Sequence, residues 1–222
     1  MPRRFLLPLF LAPLAVSSPI LAQTDVQLAE SQRYHACLER AEEDGYEALE
    51  DALTWRNDGG GWPAEHCHAR SLAQLGEAQA AAHILEDLAS LQRAGMLDFE
   101  RVALWLEASE ILLEIEAFED AAANLNAALA LAPDHREALF ARARAHAGLG
   151  DWQAVAEDAR QLSEIDQAHT PALRLLAEAS LELGALEDAR RAIMSALQLE
   201  PRDIDTLVLR GRINEAQRLA GS

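Results

Sequence analysis

Five residues have the side chains from which metal sites are built: His35, Cys37, His66, Cys67 and His68. Thiolates and imidazoles hold zinc, usually four at a time. The spacing works against such a site. Residues two apart on a helix point to nearly opposite sides, so His35 and Cys37 do not readily share an ion, and neither do His66 and His68. No metal is expected, and the histidines read as surface or capping residues. The two cysteines have a simpler chemistry. They are the only two in the chain, and an even count in an oxidising compartment predicts a disulfide. A Cys37–Cys67 bridge closes a loop of about 30 residues. In the chain-entropy picture that contributes roughly 3.5 kcal/mol.

A second polar cluster surrounds the run Gly59-Gly60-Gly61, with Trp55 and Trp62 on its flanks and Glu65 to His68 after it. Two tryptophans beside three glycines form either a small binding corner or a loop packed onto neighbouring helices, and packing is the commoner outcome. No phosphate loop, nucleophile elbow or Cys-x-x-Cys is present. The 37 carboxylates are scattered along helical segments and read as solvated faces. The expectation is a binding protein with no catalytic residues and no cofactor.

The elements that must carry these residues are helical. Ala and Leu dominate the composition and β-branched residues are few, which favours helix over sheet. Periodicity places helices at 26–43 and 46–55, then a third after the glycine run with Pro63 in its first turn, ending at Gly76. A fourth spans 77–93, and Gly95 interrupts. Asp98 is the expected N-cap of the next helix, with Arg101 where a capping box would have Glu. Each cysteine then lies in the first helix of one of two consecutive hairpins. Neighbouring first helices touch, which supports the bridge.

The formal charge of −18 makes nucleic acid and anionic membranes unlikely partners, since both are gripped by clustered Lys and Arg. It attracts basic partners at a distance. Residues 1–22 read as a secretory signal: Arg3 and Arg4, an apolar run over 5–16, and a small-residue stretch ending at Ala22. The run is too short to span a bilayer. The expected location is periplasmic or secreted, without stable membrane insertion after cleavage. Degenerate helical hairpins are expected over 23–100 and a regular array over 101–222.

That array repeats every 34 residues. Pro133, Gln167 and Pro201 fall on one ladder; Trp105, Leu139, Leu173 and Leu207 on another; Ser109, Ala143, Ala177 and Gly211 on a third. The units are 102–135, 136–169 and 170–203, followed by a terminal helix. Gly150 and Gly184 break two of the hairpins, and Glu116 takes that place in the first. A fixed period of this length implies a stacked solenoid.

The segments FEDAAANLNAALALAP and LEDARRAIMSALQLEP, which close on Pro133 and Pro201, resemble second helices of tetratricopeptide (TPR) repeats. Departures from that pattern include Gln167 for proline, Val155 and Leu162 for alanines, and His146, Ser180 and Asn214 where an aromatic is usual. The resemblance implies an all-α, right-handed superhelical solenoid of antiparallel helix hairpins. It implies a concave groove, lined by first helices, that holds another protein or a peptide. The groove residues are then Leu106, Glu110, Leu113, Phe140, Arg144, Ala147, Arg174, Glu178, Leu181, Val208 and Arg212. Arg144, Arg174 and Arg212 either clamp carboxylates of a ligand or pair with local acids such as Glu137 or Glu178. The Lys and Asn set of chaperone-tail-binding members is missing, which disfavours chaperone docking. The functional expectation is an exported interaction scaffold of the bacterial envelope. The alternative is a periplasmic metal- or small-ligand-binding protein using the His/Cys region.

Overall fold

The computed structural model describes residues 19–91 and 96–221, with side chains from residue 28. Most of the expected leader, and Gly95, lie outside the described residues. Eleven helices and no strand occur among the described residues: α1 Pro19–Glu43, α2 Gly45–Asn57, α3 Gly61–Gln74, α4 Ala78–Ser90, α5 Asp98–Glu114, α6 Phe118–Leu131, α7 Arg136–Leu149, α8 Trp152–Ile165, α9 Thr170–Glu182, α10 Leu186–Leu199 and α11 Ile204–Ala220. They pair in series as antiparallel hairpins, α11 excepted. The period is visible in where helices begin. Phe118, Trp152 and Leu186 open α6, α8 and α10; Arg136, Thr170 and Ile204 open α7, α9 and α11.

Two starts differ from the sequence reading. Helix α1 begins at Pro19 and runs through Ala22, ahead of the expected 26. Helix α5 is capped at Leu97, so Asp98 is its first residue and not its cap. The reason is a reciprocal bond that needs nothing from the cap side chain. Leu97 N–H donates to Glu100 Oε2 at 2.7 Å, which is the backward half of a capping box. Arg101 is then free for another task, and its Nε donates to Ala89 O at 2.8 Å, tying α5 to the end of α4.

Small residues set the packing. Ala108, Ala121, Ala128, Ala138, Ala141 and Ala145 are all fully buried, and Leu112, Leu125, Leu139 and Leu162 fill the space between them. Ser109 is also fully buried, with its hydroxyl donating to Trp105 O at 2.7 Å. The helices therefore approach closely, and a continuous core runs from Ala69 to Ala172. At the N-terminal end Cys37 and Cys67 are joined in a disulfide, Cα to Cα 6.0 Å, linking α1 to α3. Trp55, 2% exposed, packs on that pair with Ala52 and Ala64. The glycine run exists for this tryptophan. Gly59 and Gly61 are left-handed at φ 91° and 61°, and a Cβ on Gly60 would lie 2.5 Å from the indole. The two tryptophans thus pack: Trp62 meets Tyr34 edge-on at 5.6 Å.

Polar residues bridge successive even helices at equivalent positions. Asn124 on α6 donates to Glu86 on α4 at 2.8 Å. One unit on, Arg142 of α7 is held by Asp158 of α8, Nε to Oδ2 at 2.9 Å, and reaches Asn126 of α6 at 2.8 Å. The Asp158 side chain is only 5% exposed and that of Arg142 21%.

Hairpin turns need a left-handed residue. Gly76, Gly150 and Gly184 supply it at φ 84°, 73° and 74°, whereas Glu116 is forced to 59°. A non-glycine residue in this region costs on the order of 1 kcal/mol or more. Glu116→Gly is therefore expected to stabilise by roughly 0.5–1 kcal/mol after the added freedom of the unfolded chain is subtracted. A rise in urea midpoint at constant slope is the check.

Candidate partner-binding groove

The odd-numbered helices form one side of the molecule. Helix α1 packs on α3, α5 on α7, α7 on α9 and α9 on α11, while the even helices sit on the other side. Closer spacing of the odd helices places them on the inside of the curve. Residues that point out of this face on successive odd helices form the groove.

The expected groove residues lie on these helices as follows. Glu110, Arg144, Val208 and Arg212 are exposed. Leu106, Phe140, Ala147, Arg174, Glu178 and Leu181 are half-buried. Leu113 is not available: it is 7% exposed and belongs to the core. Phe140 is steadied by the His169 ring at 5.0 Å. All three groove arginines have protein partners. Arg144 pairs with Glu110 at 2.9 Å, Arg174 with Asp203 at 3.3 Å, and Arg212 with Glu178 at 3.0 Å and Glu182 at 2.8 Å. Glu137 instead meets His135. Exposed pairs of this kind contribute about 0.2–1 kcal/mol each. They are weak enough for a partner to displace.

Glu110, Arg144, Glu178 and Arg212 occupy one position in four successive units, 34 residues apart. The inner face thus alternates in sign from helix to helix. Between α3 and α5 the face opens into a cleft of about 240 Å³. Four carboxylates line it, Glu42, Glu107, Glu110 and Glu114, against one guanidinium, Arg70. Its origin is legible in the spacing. Gly76 and Glu116 are 40 residues apart where later turns are 34 apart. The excess lies in the α4–α5 connection and in the extra length at the start of α5.

A hydrogen-bonded chain ends on Glu107 of this cleft. His66 Nε2 meets Glu107 at 2.7 Å, and its Nδ1 meets the Tyr34 hydroxyl. An imidazole carrying its proton on Nε2 donates to Glu107 and accepts from Tyr34. Arg70 also lines the cleft, reaching Glu107 at 3.2 Å and Glu42 at 3.1 Å. Burial works to raise the Glu107 pKa, but the hydrogen bond from His66, together with the charge and hydrogen bond of Arg70, holds it below the ordinary range. Tyr34 is pushed up to about 12, chiefly by burial and then by Glu107 and Glu100.

A phenol whose folded pKa exceeds its unfolded value of 10.0 contributes stability that is intact below pH 10 and is lost as pH rises toward about 12. The chain contains no lysine, so no ammonium titration masks this. Urea midpoints are expected to fall between about pH 9 and about pH 11.5. The fall should be absent in Tyr34→Phe.

His66 is thus held by Tyr34 and Glu107, while His68 turns to Glu65 and Arg56 on α2. Burial lowers the His68 pKa, against the pull of Glu65. No group of three His, Cys, Asp or Glu side chains suited to a metal occurs among the described residues. No helix among them is long and apolar enough to cross a membrane. The Tyr34–His66–Glu107 chain could not be read from the sequence, because its members are separated by 32 and 41 residues across an irregular junction.

An all-helical stack of hairpins with one open inner face is a solenoid, and its unit is the TPR hairpin: the chain has the tetratricopeptide-repeat fold. Solved structures match it across most of their length. MamA from Desulfovibrio magneticus RS-1 superposes with a TM-score of 0.63 at 18% identity, covering 79% of this chain and 97% of that one. YrrB, described as a TPR protein with an unusual peptide-binding site, gives 0.63 at 18%, covering 75% and 84%. A tetratricopeptide repeat protein from Parabacteroides merdae gives 0.63 at 17%, covering 84% and 77%. No family model and no curated protein matches the sequence.

Proposed function

We propose that this chain is an exported scaffold of the bacterial envelope, periplasmic or secreted, that holds a partner protein or peptide in the odd-helix groove. The observation that carries this reading is the inner face itself. It is open, carries half-buried apolar residues such as Leu106 and Phe140, and its charges are tied only to one another. The leader-like first 22 residues and the paired cysteines support export, since such bridges persist in oxidising compartments. The peptide-binding site named for YrrB supports the mode of use. The acidic cleft between α3 and α5 favours a partner with a basic side chain at that point. We read the chain as a binding protein and not as an enzyme.

Photo-crosslinking in the native host tests this. A crosslinker at Phe140 or Val208 should capture a discrete partner, and one at Glu119 on the opposite side should not. Arg144, Arg174 and Arg212 changed together to Ala should alter that capture. Equal capture from both faces, or full-length protein retained in the cytoplasm, would count against the proposal.

A further inference from the structure

The outer side of the molecule holds an unfinished version of its own polar bridge. Glu86 on α4 is met by Asn124, and Asn126 on α6 is met by Arg142, which Asp158 anchors. One unit further, the position of Asn126 is taken by Arg160 on α8, and the position of Asp158 by Ala192 on α10. Leu176 stands in place of Arg142. Arg160 is exposed and has no acid opposite it.

A cavity of about 260 Å³ lies there, between α8 and α10 and over α9. It has an apolar floor of Leu173, Leu176 and Ala192 and a polar edge that includes Arg160 and Ser180. Ser180 explains the room. The same ladder position holds Leu112 in the first unit, fully buried, and His146 in the second. Ser180 is 4% exposed, yet its hydroxyl makes no hydrogen bond within the described residues, unlike those of Ser71, Ser109 and Ser163. The hydroxyl itself is not sealed from solvent, since the one fully buried side-chain polar atom without a partner among the described residues is Nδ1 of His146. Ser180 borders the cavity with its hydroxyl uncommitted, and can donate to a guest there. Arg191 also borders the cavity, but Asp188 neutralises it.

We propose that this outer cavity binds a small carboxylate with a compact apolar body, of about the size of benzoate. The carboxylate takes the place of the missing Asp158 equivalent above Ala192, accepting from Arg160 and Ser180, and the apolar body lies on Leu173 and Leu176. A planar carboxylate suits a guanidinium fork. Asp188 leaves the pocket with one net positive charge, which matches a monoanion and disfavours a phosphate dianion. This site is separate from the groove.

The test is amide chemical-shift titration of the full chain with benzoate, benzyl alcohol and phenyl phosphate. Benzoate is expected to shift the amides around Ser180 and Ala192 at concentrations up to about 20 mM. Benzyl alcohol and phenyl phosphate should bind about tenfold more weakly or not at all. Arg160→Ala should weaken benzoate by about tenfold, given the strength of charge-assisted bonds. Ala192→Asp supplies the carboxylate from within and should abolish binding. Should that variant fail to fold, the exposed Arg160 variant decides alone. No shift with benzoate, equal binding of benzyl alcohol, or benzoate affinity unchanged in Arg160→Ala overturns the proposal.

Discussion

Asp158→Ala is expected to lower the unfolding free energy by about 3 kcal/mol. Asp158 accepts two bonds from one guanidinium, Nε at 2.9 Å and Nη2 at 2.5 Å, with its side chain only 5% exposed. Removing it leaves Arg142 charged, four-fifths buried and short of its main acceptor. Only the bond to Asn126 then remains. The cost is that of a stranded charge and does not measure what the pair adds over an apolar alternative. Double replacement distinguishes the two. Arg142→Met with Asp158→Leu removes both charges at similar volume and should lie within about 1.5 kcal/mol of the parent. Urea unfolding of the parent, both single variants and the double variant provides the check. A single variant as stable as the parent would mean that water reaches this pair freely.

Loss of the Cys37–Cys67 bridge is expected to cost about 3.5 kcal/mol, by the entropy of a loop of 30 residues released in the unfolded chain. The loss should also be local. Helix α1 contacts only α2 and α3 to any extent, and the bridge lies among Trp55, Ala52 and Ala64 in a small cluster distinct from the main core. In a solenoid each unit is held chiefly by its neighbours, so an end unit can open alone. Hydrogen exchange on Cys37→Ser/Cys67→Ser should therefore speed up in α1 and α2 well before α7 to α10. Uniform acceleration would show that the array unfolds as one body. Unchanged exchange would show that the bridge constrains nothing.

The regular half of the fold was legible because its information is periodic. The ladders through Trp105, Ser109 and Pro133 repeat at a fixed interval, and the helices of the later units begin at that same interval. The start of α5 is hidden from the sequence because the cap there is a backbone N–H bonded to Glu100, so Leu97 carries no capping signature. Leu113 reads as a groove residue because it shares a register with Ala147 and Leu181. The register holds, yet the leucine is 7% exposed and belongs to the main core, whereas Ala147 and Leu181 are only half-buried. The Arg142–Asp158 pair is not legible in the sequence. Each residue alone reads as one more charge on a helix, and only packing of α7 against α8 shows that they face inward together. The candidate groove was legible as a list of positions, but its mutual ion pairing was not.

The alternation of Glu110, Arg144, Glu178 and Arg212 has a consequence for what can be read along that surface. Neighbouring packed helices stand about 9 Å apart, and an extended chain advances about 3.3 Å per residue. A strand lying across them therefore meets a reversal of charge roughly every three residues. A uniformly basic tail, drawn in by the far field of a protein of net charge −18, is repelled at every second rung once it arrives. Long-range attraction and short-range selection thus obey different rules here: the first responds to total charge, the second to its rhythm.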